Sequence, residues 1–87
     1  MISEKPIVLT NHAERAVRER ELRLEWIEAT ARTCDWSRPD PQGDGIEQRF
    51  RAIPENENRV MRVACLETKS EIRILTAFFD RKAKRPS

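Results

Sequence analysis

His12 is the only histidine of this 87-residue chain, and it stands three residues before Arg15. On a helix, that spacing puts an imidazole and a guanidinium on one face. The imidazole can act as a general base, and arginines can stabilise a developing negative charge, for which Arg49, Arg51, Arg62 and Arg73 are the candidates. His12 and Arg15 are therefore the candidate catalytic pair, although a histidine there also fits a capping-region side chain bonded to a backbone group or a carboxylate. Arginine is abundant, and its planar fork suits phosphate. No glycine-rich phosphate loop exists, because Gly43 and Gly45 are the only glycines. Cys34 and Cys65 are too few and too far apart for a zinc site or a disulfide framework. No metal and no cofactor are expected.

A second group of arginines lies in the C-terminal half. Alternation turns Phe50 inward and Arg49 and Arg51 outward. It likewise turns Met61, Val63 and Cys65 inward with Arg62 outward, and Ile72, Ile74 and Phe78 inward with Arg73 outward. Arg49, Arg51, Arg62 and Arg73 then share one sheet face beside Leu66 and Leu75. Like charges on neighbouring strands repel. The quartet thus calls for an anionic ligand or for compensating carboxylates, which Glu47 and Glu71 could supply. Trp26 reads as core. Trp36 reads as a loop anchor or as a surface on which a base stacks. Arg15, Arg18 and Arg20 alternate with Glu14, Glu19 and Glu21, a pattern that a solvated face also produces.

The elements that must position these groups follow from periodicity. Thr10 or Asn11 caps a first helix over about 11–20, whose small apolar positions are Ala13, Ala16 and Val17. A second helix over about 24–33 buries Trp26, Ile27 and Thr30. Residues 35–45 hold two prolines and both glycines and read as a long loop. Strands follow at Ile46–Ile53, Arg59–Thr68 and Glu71–Phe79, joined by short turns as an antiparallel meander. Residues 6–9 could add a short edge strand. The expected fold is α+β, with two N-terminal helices on one face of a three- to four-stranded antiparallel sheet. Its expected core is Ala13, Val17, Trp26, Ile27, Phe50, Val63, Ile72, Ile74 and Phe78.

Length and composition bound the rest. The chain is one domain, residues 1–87, with an ordered core at about 6–81, a frayed start at 1–5 and a basic tail at 82–87. Charged residues make up 37% and hydrophobic residues 38%, which suits a soluble globular protein, and the longest apolar runs are only a few residues, so no membrane span is expected. No signal peptide is expected, and the cytoplasm is the default compartment. Residues 1–45 carry seven Lys/Arg against nine Asp/Glu, whereas residues 46–87 carry ten against six, so the strand half is the anion-facing side. So small a core, with Leu66 and Leu75 outside it, points to a homodimer or a tight complex with a partner.

The order of these elements resembles a bacterial family, domain of unknown function 4258. The resemblance rests on His12-Ala13 opening the first helix, Arg15 and Arg20 along it, and Trp26-Ile27 in the second. It continues through Arg49-Phe50, Arg59-Val60-Met61-Arg62-Val63, and Ile72 to Asp80, covering about residues 10–81. The family usually has a glycine after the arginine that ends the first helix; Glu21 stands there in this chain. The family looks like a relative of RelE/ParE-type toxins, including the BrnT-like branch. That resemblance implies a toxin of a toxin–antitoxin system directed at RNA, a metal-independent endoribonuclease in one form, neutralised by a cognate antitoxin protein. In such a scheme His12 is the base, with Arg15 beside it, and Arg49, Arg51, Arg62 and Arg73 bind the RNA backbone. The chain has no tyrosine, a residue that some RelE-type sites use. A different class of function stays open: a non-catalytic interaction domain that binds a protein partner or its own copy.

Overall fold

The computed structural model describes residues 5–85. The expected frayed start falls outside that range except for Lys5, as do residues 86–87 of the basic tail. The elements run β1 (Ile7–Leu9), α1 (Asn11–Glu19), α2 (Leu24–Arg32), β2 (Trp36–Pro39), β3 (Ile46–Ile53), a 3-10 turn at Pro54–Asn56, β4 (Arg59–Glu67) and β5 (Ile72–Phe79). The strands form one five-stranded sheet in the order β1-β5-β4-β3-β2. It is mixed, because β1 runs parallel to β5 while the other pairings are antiparallel. The expectation of a three- to four-stranded antiparallel sheet is corrected on both counts. Of residues 6–9, Ile7–Leu9 do form a strand, and the stretch read as one long loop contains another, β2.

Both helices are short and rely on their ends. Thr10, rather than Asn11, is the N-cap of α1: its hydroxyl accepts from the Ala13 N–H at 3.1 Å and donates to the Leu75 carbonyl at 3.4 Å. One hydroxyl thus satisfies a free helix donor and ties the helix start to β5. Helix α1 ends where Glu21 takes a left-handed conformation, φ 52°. The Leu22 N–H reaches the Val17 carbonyl at 3.0 Å and the Glu21 N–H reaches that of Arg18 at 3.4 Å. These are the paired bonds of a Schellman end, which normally uses glycine at the left-handed position. Glu21 makes this turn with a Cβ in an unfavourable region. In α2 the Thr30 hydroxyl donates back to the Trp26 carbonyl at 2.8 Å, which lets a polar residue be fully buried.

Both helices pack on the same sheet face. Ala13, Leu22, Ile27 and Ala31 meet Ile53, Met61, Val63, Cys65, Ile72, Ile74 and Ala77, with Val17, Trp26 and Phe79 packed against them. Most of the expected core is there, but Phe50 and Phe78 are not. Phe50 pairs with Arg62, and Arg62 with Phe78, so all three side chains point away from the helices. Phe50 and Ile74 consequently lie on opposite faces of the sheet, contrary to the sequence reading. Two physical causes explain the error. Arg49, not Phe50, is the residue of β3 that turns toward the helices. In β5, Leu75 is an extra residue: Thr76 pairs with Ala64 and Ile74 with Cys65. That bulge resets the alternation, so Ile72 and Ile74 face the helices, then Ala77 and Phe79, and Phe78 is left on the far side.

Replacing Glu21 by glycine removes the left-handed penalty and loses no hydrogen bond. We expect Glu21→Gly to raise the unfolding free energy by about 0.5–1 kcal/mol, or roughly 3–6 °C in midpoint temperature for a domain of this size. Thermal melting followed by circular dichroism measures it; an unchanged or lower midpoint would refute the helix-end geometry.

Candidate nucleic-acid interface

The four strand arginines do not share a face. Arg49 and Arg51 point toward α2 and donate to its last carbonyls, Arg49 to Ala31 and Arg51 to Thr33, each at 2.6 Å. Cations at a helix C-terminus complement its partial negative charge and fill acceptors that the helix leaves open. Arg49 also holds Glu47 and Glu67, each at 2.8 Å, and Glu67 in turn takes Lys5 at 2.7 Å. Burial opposes the charge on Arg49, but its hydrogen bonds to Glu67 and then Glu47 outweigh that and hold it above the ordinary guanidinium range. The Lys5 and Arg49 hydrogen bonds push the Glu67 carboxyl down. The compensating carboxylates anticipated from sequence are thus in place: Glu47 answers Arg49, and Glu71 answers Arg73 at 2.9 Å.

Arg62 and Arg73 do lie on the helix-free face, yet far apart. Arg62 pairs with Phe78, five residues along β5 from Arg73, or roughly 15 Å at strand rise. Arg62 belongs instead to a row that crosses four strands: Trp36, Phe50, Arg62, Phe78. Trp36 stacks on Phe50 with centroids 5.0 Å apart and planes 5° from parallel. The Arg62 guanidinium sits 5.8 Å from the Phe50 centroid and 5.2 Å from that of Phe78, anchored by Asp80 at 3.2 Å. Arg38, one row over, lies 5.3 Å from the Phe50 centroid. These are cation–π distances. Covered in this way, Phe50 is 1% exposed, while Trp36 and Phe78 at the ends of the row are half-buried.

A polar relay fixes the next row. Arg38 donates to Gln48 at 2.7 Å, and Gln48 donates to Asp40 at 3.1 Å. Gln48 is buried, and both ends of its amide are satisfied. Asp40 also accepts from the Gln42 N–H at 2.8 Å, which shapes the β2–β3 turn. The Gln42 and Gln48 hydrogen bonds hold its carboxyl below the usual range, with Arg62 and Arg38 adding to the effect. Sequence reasoning missed Arg38, Gln48 and Asp40. The period-2 spacing of Trp36, Arg38 and Asp40 was visible, but Pro39, Pro41 and the glycines concealed it. Proline is tolerated here because β2 is an edge strand.

His12 is the exposed second residue of α1, and Arg15 is exposed on the same helix. Neither has a hydrogen-bonded or ion-paired partner among the described residues. The sheet separates them from the aromatic–arginine row, so the two parts of the candidate site do not converge. Cys65 is fully buried, and burial pushes its thiol up to about 11, which makes it an inert core residue. Among the described residues no group of three His, Cys, Asp or Glu side chains is placed to hold a metal ion. Among the described residues, no helix is long and apolar enough to cross a membrane.

The model of the family described as a domain of unknown function (DUF4258) matches residues 9–79, and the chain belongs to that family. No curated protein and no solved structure matches the chain.

The engagement of Arg49 predicts a pH and mutational signature. Glu67 has a lowered folded-state pKa, so its contribution is complete above its ordinary value of 4.5 and disappears as the pH falls and the carboxylate protonates. Arg49→Ala should destabilise the fold by about 1–2 kcal/mol after allowance for solvent screening, and should flatten the acid limb of stability against pH. Urea unfolding between about pH 3 and pH 7 tests both parts; a full acid limb in the variant would separate Glu67 from Arg49.

Proposed function

We propose that this domain is a toxin-like, RNA-directed protein that binds single-stranded RNA on its helix-free sheet face. The observation that carries the reading is the row Trp36-Phe50-Arg62-Phe78 flanked by Arg38. Half-buried rings at each end offer surfaces for base stacking, and the guanidiniums between and beside them offer charge to phosphates. Of the residues expected to bind the RNA backbone, Arg62 and Arg73 belong to this proposal and Arg38 joins them. Arg49 and Arg51 are committed to the end of α2. The relation to RelE/ParE-type toxins, the cognate antitoxin and a cytoplasmic setting are parts of the same proposal, supported by the order of elements and by the two-helix layer on one sheet face.

The endoribonuclease form of the proposal adds cleavage. His12 would take the 2′-hydroxyl proton as the 2′-oxygen bonds to phosphorus and the P–O5′ bond breaks, Arg15 would stabilise charge on the phosphorus oxygens, and the leaving 5′-oxygen would take its proton from the imidazolium so formed or from water. RNA would then have to pass from the helix-free face around the β1 side of the sheet, past Thr10, which bonds to Ile74 and Leu75. Binding has the stronger support, since its central groups, Trp36, Arg38, Phe50, Arg62 and Phe78, are already together. The alternative class, a non-catalytic interaction domain, is favoured by one feature, the apolar outer edge of β1.

Two variants separate binding from cleavage. Arg38→Gln with Arg73→Gln should lower affinity for unstructured RNA of any sequence and reduce the salt slope by about one to two units. His12→Ala should leave binding intact and slow cleavage by about two to four orders of magnitude. Fluorescence anisotropy across a salt series and a gel cleavage assay read the two effects. An unchanged salt slope removes the proposed face; a His12→Ala variant as active as the parent removes the base assignment. If the parent neither binds RNA nor slows growth on expression, the RNA reading fails entirely.

A further inference from the structure

The outer edge of β1 carries features that the RNA reading leaves unused. The Ile72 N–H donates to the Pro6 carbonyl and the Thr10 N–H to the Ile74 carbonyl. In a parallel ladder this fixes the parity: Val8 directs its backbone groups to β5, and Ile7 and Leu9 direct theirs outward. Neither Ile7 nor Leu9 has an outward partner among the described residues. The exposed large hydrophobic residues among those described are Val8, 38% exposed and turned with its register partner Arg73 to the helix-free face, and Leu24, 60% exposed; both border one shallow groove of about 570 Å³. The groove is completed by Ile7, Leu9, Val17 and two charged residues, Glu14 and Arg18. An apolar edge strand without a lysine or proline inside it is a template for pairing.

We infer that this edge pairs with the β1 edge of a second copy of the chain, antiparallel about a two-fold axis at Val8. The occupant follows from self-complementarity. With Val8 facing its copy, Ile7 of one protomer stands opposite Leu9 of the other, so all the outward N–H and C=O groups are satisfied in about four hydrogen bonds. The groove carries one acid and one base, neither ion-paired among the described residues. A two-fold axis can place Glu14 of one copy against Arg18 of the other, which a nucleic acid or a uniformly charged partner cannot exploit. Two sheets would join into one continuous sheet, with both α1 helices on the same side. The strand is short, and the interface falls below the usual 800 Å² or so per partner, so association should be modest, with Kd on the order of tens of micromolar.

Sedimentation velocity over a concentration series tests this inference independently of RNA. The parent should shift from monomer to dimer with rising concentration. Val8→Lys should weaken association about tenfold or more, with circular dichroism confirming the fold. Glu14→Arg and Arg18→Glu lie at exposed helix positions and should each weaken it about threefold to tenfold. The doubly exchanged protein should recover the parent's affinity, because each copy again offers one charge of each sign. A monomer at every concentration, a dimer indifferent to Val8→Lys, or a double exchange that recovers nothing would overturn the proposal.

Discussion

The guanidinium of Arg49 is the junction on which the two-sided character of this sheet depends. It donates to a carbonyl at the end of α2, to Glu47 beside it on β3 and to Glu67 at the end of β4. Glu67 holds Lys5, and the Lys5 carbonyl accepts from Arg32 of α2 at 2.6 Å. One charge network therefore fastens the segment entering β1, the end of α2 and two central strands. Because successive residues of a strand point to opposite faces, an inward Arg49 obliges Gln48 and Phe50 to point outward. Everything on the helix-free face follows from that parity.

An outward Phe50 would be a liability if left bare. Trp36 covers it from the edge strand, and Arg38 and Arg62 lay their guanidiniums over it, so a small second core forms without a second layer of helices. Fully burying a phenylalanine contributes about 1.5–3 kcal/mol, a sizeable share of the stability of so small a domain. The proposed RNA-binding residues are accordingly also the cover of that core. Ligand binding on this face would draw on groups already held in position by Asp80 and Gln48, which limits the side-chain ordering needed to form contacts.

Much of this was legible in the sequence. The two helices, their order, the three long strands and the turn at Pro54–Asn58 are local features, set by caps, periodicity and turn residues. Ile72 and Ile74 showed their burial by alternation alone. What stayed hidden depends on partners distant in sequence. Phe50 and Arg49 are adjacent, and nothing local says which faces the helices; the carbonyl of Ala31 decides. β2 has poor strand composition and exists because β3 offers it a ladder and Trp36 finds Phe50. The candidate site was legible by residue type, since arginines and Trp36 were marked out. Its geometry was not, because parity errors in β3 and β5 moved Arg49 and Arg51 to one face and Phe50 and Phe78 to the other.

The extra residue at Leu75 sets the phase of β5 at one point. Ahead of it, β5 is in step with Ile72 and Ile74 inward; behind it, with Ala77 and Phe79 inward. Deleting Leu75 would remove the bulge and leave that phase intact: Thr76 would follow Ile74 on the helix-free face, and Ala77 and Phe79 would still point inward. The deletion would instead take away the carbonyl that receives the Thr10 hydroxyl, so the tie between β5 and the start of α1 would loosen while the sheet kept its two faces. The opposite change, pairing that runs straight through Leu75 at unchanged length, would turn the second half of the strand over and bury Phe78 in place of Ala77 and Phe79. The bulge, rather than the number of residues, is what keeps the two faces of this strand distinct.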